Sequence, residues 1–329
     1  MIFLKYNKEC HVRYIIYGAG AIGGAIGAQL FQQGQDVILI ARGAHYRSIA
    51  EKGLRYINPE KNSTLKIPVV SHPAELSFTD EDIIFLTVKS QHTAQIMIDL
   101  STSADPKIPI VCCQNGVANE AIALRFFDNV YCMLVMVGGT HLNPGEVIHH
   151  SARPGGVLDC GRYPNGIDEI IKTIATDLTK AGFVSRPNVN AMGFKYTKLV
   201  MNLGNALQAL CGGNISELLE KARNEALLCL KAANLKLVDL DLEGTEDKNT
   251  AKLPATMRGG GSSWQSLQRG AADIETDYLN GEICRLGRIH GIPTPVNKAI
   301  QILASRAIKQ GWQTGTLPAE DIHTLSTEY

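Results

Sequence analysis

The sequence has no excess of either charge. Among its 329 residues Lys plus Arg total 32 and Asp plus Glu total 32, so the formal net charge is zero. Binding to nucleic-acid phosphates or to an anionic membrane surface needs a basic tract, and none is present, so neither partner is expected. Long apolar runs are also missing. The longest clean stretches resemble Ile83–Val88, well short of the ~18 residues of a membrane span. The eight cysteines contain no CxxC pair and no Cys/His cluster at zinc spacing, so no metal site is expected. Several lie in aliphatic runs such as Val111-Cys112-Cys113 and Leu228-Cys229-Leu230, where a reduced thiol packs as a small hydrophobe. The nine histidines are scattered, with His149-His150 the one adjacent pair. From Met1 to Lys8 the chain turns to charge after four residues and has no signal-peptide core, so a cytoplasmic location is expected. There is no repeat at solenoid period and no low-complexity tail.

What is present suits a folded globular protein. Hydrophobic residues make up 45% and charged residues 19%, which excludes wholesale disorder. At roughly 150 residues per domain the length suggests two domains. Residues 12–17 read as a buried strand, 18–33 as a glycine-rich turn feeding a helix stopped by Gly34, 37–40 as a strand and 44–52 as a short helix. Residues 53–70 then read as an inserted hairpin, with 54–57 and 64–70 as its strands. The alternation resumes with strands at 83–88, 108–112 and 130–135 and helices at 91–100 and 118–127, which implies βαβ units and a parallel sheet. Residues 138–162 suggest antiparallel strands finishing that sheet, and 167–180 a helix. Beyond about residue 188 the pattern is helical, at 191–211, 215–239, 263–290 and 296–310, with a loop-rich stretch at 241–263. The expected fold class is therefore α/β plus all-α. Residues 1–188 would form a Rossmann-type domain and 189–329 a helical one.

Gly18-Ala19-Gly20-Ala21-Ile22-Gly23 is a GxGxxG run with a strand before it and a helix after it. In that context the first glycine makes the tight turn, the second admits a pyrophosphate to the backbone and the third lets helix and strand approach. The helix N-terminus adds free N–H groups and partial positive charge. An NAD site would place an acid at the end of the next strand; here stands Arg42, with Arg47 nearby. A guanidinium suits a 2′-phosphate, so NADP (NADPH) is the expected cofactor.

In the segment from Lys198 to Asn205, about 100° per residue puts Asn202 near about 40° and Asn205 near about −20° from Lys198. A lysine and two carboxamides thus share one face, beside the apolar arc of Leu199, Leu203, Ala206, Leu207 and Leu210. That arrangement suits the floor of a polar-ligand site; a solvated helix face is the competing reading. Lys195, near about 60°, leaves open which lysine matters.

Together these segments resemble the ketopantoate reductase (2-dehydropantoate 2-reductase) family over about residues 12–310. The likeness is carried by Gly18–Gly23 with Arg42, the hairpin from Gly53 to Glu60, Thr87 to Gln91, Gln114-Asn115-Gly116, Lys198 with Asn202, Ser262 to Gln265, and Glu275 to Gly281. The resemblance implies an NADPH-dependent reductase of a small-molecule 2-keto acid, most simply 2-dehydropantoate, in pantothenate and coenzyme A biosynthesis. It implies Lys198 as general acid and Glu275 as its support near the nicotinamide. It also implies Lys89 at the cofactor phosphate and ribose, Asn115 touching cofactor and substrate, Asn202 on the substrate, and Ser262 or Ser263 at the carboxylate. The family's second asparagine stands eight residues after the lysine; that place is Ala206 here, with Asn205 at seven. Ser266 stands where the family often has Asp. Two alternatives remain open: a different branched 2-keto acid, and a non-catalytic NADPH-binding sensor on the same fold. A homodimer through an apolar face of the helical half is equally open.

Overall fold

A computed structural model of the chain describes residues 12–240, 253, 261–268, 270 and 274–329. The first half is organised by β1 (Arg13–Tyr17), α1 (Ala21–Gln32), β2 (Asp36–Ile40), α2 (Gly43–Lys52), β3 (Leu54–Ile57), β4 (Asn62–Leu65), β5 (Val69–Val70) and β6 (Asp82–Leu86). There follow α3 (Thr93–Ser101), β7 (Ile110–Cys112), α4 (Asn119–Ala123), β8 (Val130–Met133), β9 (Gly139–Thr140), β10 (Glu146–His149), β11 (Cys160–Arg162) and α5 (Glu169–Lys180). The main sheet runs β11-β8-β7-β6-β1-β2-β5, all parallel except the β11–β8 pair. Chain order reverses between β1 and β6, so their carboxyl ends flank the crevice where open α/β sheets take ligands.

The expected hairpin forms, with Leu54 paired to Leu65 and Ile57 to Asn62, but it does not extend to residue 70. Pro68 has no N–H to give a ladder, and its carbonyl instead accepts from Leu39 N–H at 2.9 Å. Val69–Val70 then joins the main sheet beside β2. The strands expected to finish that sheet divide in the same way. Only β11 does so, while β9 and β10 join β3 and β4 in a second sheet of order β4-β3-β10-β9. The cause lies in α1, whose residues Gly23–Leu30 are all buried. A helix apolar all round needs cover on two sides. A Cβ on Gly27 would sit 2.9 Å from Leu39 of the main sheet, and one on Gly24 2.6 Å from Val147 of the second sheet. The helix expected over 118–127 is shorter, ending at Ala123.

The second half holds α6 (Ala191–Asn202), α7 (Gly204–Leu210), α8 (Ser216–Ala232), α9 (Ser262–Gln268), α10 (Asn280–His290), α11 (Pro295–Gln310) and α12 (Ala319–Ser326). One helix was expected across 191–211. It is interrupted at Leu203, where the buried Asn280 carboxamide donates to the Leu203 carbonyl at 3.2 Å. Leu203 keeps helical dihedrals (φ −60°, ψ −24°), so the shared polar face survives the break. Leu199, Leu203, Ala206, Leu207 and Leu210 are all buried, as their arc predicts. The helix expected over 263–290 is instead α9, a 3-10 turn at Glu275–Tyr278, and α10. The loop expected at 241–263 lies almost wholly outside the described residues, as does Cys10. The described cysteines are buried and free. Among the described residues no helix is long and apolar enough to cross a membrane. No group of three or more His, Cys, Asp or Glu among them is placed to hold a metal ion.

Candidate active site

A cavity of about 810 Å³ opens at the crevice beside the β1 and β6 ends and is closed from the other side by α6, α9 and the Glu275 turn. That volume is of the size that holds a cofactor or small molecule. The glycine loop forms one wall. Gly18 has φ +111°, and a Cβ there would lie 2.8 Å from Val88 Cγ1, so only glycine fits this turn. A Cβ on Gly23 would lie 2.1 Å from the Gly18 carbonyl oxygen, so this glycine seats α1 against the loop. Gly20 differs: a Cβ there would meet nothing within 4 Å. It is also the N-cap of α1 and makes no side-chain cap. The first-turn N–H groups therefore face an open cradle that a phosphate fits. His45 braces this loop, its Nε2 2.7 Å from the Ala19 carbonyl oxygen while its Nδ1 accepts from Gly145 N–H at 2.8 Å.

Lys198 reaches the cavity from α6 and donates to the Val135 carbonyl. Enclosure disfavours its charge and the neighbouring Lys195 ammonium repels it. Together they push it down to about 7 against the pull of Glu275. Glu275 is buried on its turn, and its Oε1 accepts from Ser90 N–H and Ser90 Oγ, each at 3.1 Å. Asn119, fully buried on α4, donates through Nδ2 to Ser90 Oγ at 3.1 Å and to the Asn115 carbonyl at 3.2 Å. A single carboxamide thus braces both Ser90, which grips Glu275, and the loop that presents Asn115. Lys89 lines the cavity and donates to Ser266 Oγ on α9, joining the two halves across it. Asn202 and Asn205 share the wall with Lys198. The Asn202 Nδ2 group is buried and without a hydrogen-bond partner, a donor that the fold leaves for something else to satisfy.

Two profiles match this chain: "Ketopantoate reductase PanE/ApbA" over residues 14–165 and "Ketopantoate reductase PanE/ApbA C terminal" over 190–307. The chain belongs to the ketopantoate reductase family. It is therefore an oxidoreductase. The 2-dehydropantoate 2-reductase of Archaeoglobus fulgidus is 30% identical over 308 residues, covering 91% of this chain and 98% of that one. A PanE/ApbA family ketopantoate reductase from Ralstonia eutropha, known by crystal structure, is 27% identical, with a TM-score of 0.75 over 91% of this chain and 99% of that one. A D-mandelate dehydrogenase solved with NADH and anilino(oxo)acetate shares the fold at 22% identity, with a TM-score of 0.77 over 91% and 99% of the two chains.

For this ketopantoate reductase family member, the cavity wall gathers Gly18, Gly20, Ala21, Ile22, Lys89, Asn115, Lys198, Asn202, Asn205, Ser262 and Glu275. The remaining expected residues lie off it. Ala19 and Gly23 pack inward. Arg42 stands at the start of α2, its side chain 56% exposed, donating to Tyr17 Oη at 3.1 Å and 3.6 Å from Asp99. Ser263 is 3% exposed and does not line the cavity, leaving Ser262 as the serine on the wall. Lys195 is directed away from the cavity to Glu120. Sequence reading missed Ser90, Asn119 and His45, whose roles depend on distant partners: Glu275 for Ser90, Ser90 for Asn119 and Ala19 for His45. It also missed Gln265, which lines the wall and donates to the Gly139 carbonyl at 3.0 Å.

Proposed function

We propose that this chain reduces a 2-keto acid with NADPH, and that the physiological reaction is 2-dehydropantoate to pantoate. The observation that carries the reading is the meeting on one cavity of Lys198 and Glu275, from the helical half, with the glycine loop and Asn115, from the α/β half. On this reading residues 1–188 bind the dinucleotide and 189–329 carry the acid and most of the substrate wall, in a cytoplasmic enzyme. The open cradle at Gly20 fits a pyrophosphate. Gly18–Gly23 hold it with the first turn of α1, while Lys89 and Asn115 hold the ribose and nicotinamide end. When bound, the dinucleotide supplies a hydride.

The chain's own groups manage charge and proton. The Lys198 ammonium hydrogen-bonds the keto oxygen and stabilises negative charge as it develops there. As the carbonyl carbon becomes tetrahedral, the π electron pair moves to that oxygen. Lys198 Nζ–H then gives it a proton, leaving a hydroxyl on the product and a neutral amine on the enzyme. Glu275, gripped by Ser90, keeps a carboxylate where it favours the protonated form of Lys198 between turnovers. Asn202, Asn205 and Ser262 receive the substrate's carboxylate and hydroxyl groups.

The choice of NADPH over NADH rests on Arg42. Its contacts to Asp99 and Tyr17 are solvent-exposed on the arginine side, and such pairs contribute little, so the guanidinium is available to a 2′-phosphate. One observation favours a different branched 2-keto acid. Ala206 is 2% exposed in the helical core, and the second carboxamide reaches the wall from Asn205 instead. The test is a panel of 2-keto acids assayed with NADPH. Ketopantoate should have the highest kcat/KM; equal turnover of its relatives would defeat the narrower assignment. The absence of turnover with every keto acid, alongside normal NADPH binding, would favour a sensor.

A further inference from the structure

One turn before Lys198 on α6, Lys195 is 3% exposed and ion-paired with Glu120 of α4, itself fully buried. The second carboxylate oxygen, Glu120 Oε2, has no hydrogen-bond partner. A buried ion pair with an oxygen left over is a weak source of stability, and apolar side chains of similar volume commonly do as well or better. Its placement is more telling than its energy. Glu120 follows Asn115 by five residues and Lys195 precedes Lys198 by three. The pair therefore ties the helix bearing the cavity lysine to the helix that follows the cavity asparagine.

We propose that Glu120 and Lys195 are positioning residues for the proton transfer: Glu120 fixes Lys195 as a permanent ammonium one turn from Lys198, and that neighbouring charge loosens the proton Lys198 delivers to the keto oxygen. The inference rests on reading Lys198 as the general acid. Burial opposes the charge on Lys195, yet its pKa is raised, with Glu120 the main group favouring the ammonium. The Cys112 and Cys132 thiols that also bear on Lys195 are kept neutral by burial. Lys198 is faced by Lys195 on its own helix and by Glu275 on the 3-10 turn. The surrounding walls bring Lys89, His92 and Cys113 from the main-sheet side and His141 and His150 from the second-sheet side. An ordinary lysine is a sluggish acid at neutral pH, whereas one whose affinity for the proton approaches the working pH transfers it far more readily. Burial pushes Lys198 down, the Lys195 charge adds to that and Glu275 opposes it, which leaves Lys198 at about 7.

The experiment follows kcat/KM for keto acid reduction against pH. Lys198 must be protonated to donate, so the wild-type rate falls as pH rises through the lysine's pKa. Lys195→Met removes the repelling charge. Glu120→Gln keeps the shape and leaves Lys195 without a counter-ion, so that it discharges. Lys195→Met/Glu120→Gln removes both charges and leaves no buried orphan. All three should move the high-pH limb upward by about one unit; the double variant, which leaves no buried orphan to loosen the packing, separates loss of the charge from a general opening of the site. A limb that stays in place in folded variants overturns the proposal. The intact wild-type protein gives a second readout, by NMR of 13Cε-labelled lysine. One lysine should titrate near neutrality and be lost in Lys198→Ala, while Lys195 stays charged well above that pH; a neutral Lys195 overturns the proposal even where no Lys195 or Glu120 variant folds. If Lys198→Ala retains turnover, the general-acid reading itself fails. If Lys198→Ala abolishes turnover and the limb still does not move, only the role of Lys195 and Glu120 fails.

Discussion

Gly20 and Gly23 belong to one motif yet should fail in opposite ways when changed to alanine. At Gly20 the backbone is extended (φ −70°, ψ −158°) and the Cβ would enter open space. Gly20→Ala should therefore leave stability unchanged or raise it by about 0.5 kcal/mol, through the lower entropy of the unfolded chain. The same methyl would occupy the cradle beside the first-turn N–H groups. If one charge-assisted hydrogen bond to a phosphate is lost, about 1.5–3 kcal/mol of binding goes with it, or roughly a 10- to 100-fold rise in Kd for NADPH. Gly23→Ala places its methyl 2.1 Å from the Gly18 carbonyl oxygen and 2.3 Å from Thr87 Oγ1. The backbone oxygen has little room to yield, so α1 must shift, at a cost of about 1–3 kcal/mol, or a Tm lower by about 3–10 °C. Thermal denaturation without ligand, paired with a fluorescence titration of NADPH, separates the two effects. A Gly20→Ala variant that binds NADPH as the wild type does would refute the placement of the phosphate at this loop, whatever happens at Gly23.

Other outcomes follow from single contacts. Lys198→Ala should lower kcat by about 10²-fold or more while NADPH still binds; unchanged turnover in a steady-state assay removes this lysine from the mechanism. Arg42→Ala should raise Kd for NADPH about tenfold and leave that for NADH nearly unchanged, and equal losses would show that Arg42 does not hold the 2′-phosphate. Ser262→Ala should raise KM for the keto acid whereas Ser263→Ala should act on stability, since only Ser262 lines the cavity; the reverse pattern in paired kinetic and thermal assays would exchange their roles. Asp168 caps α5 by accepting from Ile171 N–H at 3.0 Å, and it also accepts from Tyr131 and Arg162. Although burial opposes the charge, these bonds hold its pKa below the ordinary value. Its contribution to stability is therefore present above the unfolded-state pKa and lost as pH falls through the folded one. Asp168→Ala should cost about 1–2 kcal/mol at pH 7 and progressively less in acid, measured by urea unfolding across that range.

The central parallel strands and α1 were legible because a buried strand or helix writes its neighbours into its own composition. Residues 13–17 and 82–86 are apolar throughout most of their length, and the glycine run marks where the chain must turn. The second sheet was not legible in the same way. Strands β3 and β10 pair in parallel across about ninety residues, Arg55 with Glu146 and Ile57 with Ile148, and the partner of a short strand leaves no trace in the strand itself. The need for such a sheet was nevertheless visible in α1. Gly24, Ala25, Ile26, Gly27 and Ala28 offer no polar face, so something beyond the main sheet had to cover them. Helix α12 had a local signal that went unread: Pro318 precedes it, and Glu320 and Asp321 fill its first turn.

The two lysines of α6 mark the limit for the site. Lys195 and Lys198 are three residues apart on one helix, and helical geometry alone put both near the carboxamide face. Their fates were decided by groups far away in sequence. Glu120, 75 residues earlier, ion-pairs with Lys195, whereas Lys198 meets a backbone carbonyl at Val135 and faces the cavity. A buried carboxylate cannot stay charged without a cation, and Glu120 takes Lys195 as its partner, which leaves Lys198 as the lysine on the cavity. That choice also has a chemical consequence. A lysine locked to a buried carboxylate holds its proton too firmly to serve as an acid near neutrality, and one beside a second cation holds it loosely. On the proposed reading, the pairing that removes Lys195 from the reaction adds to the burial that loosens the proton of Lys198.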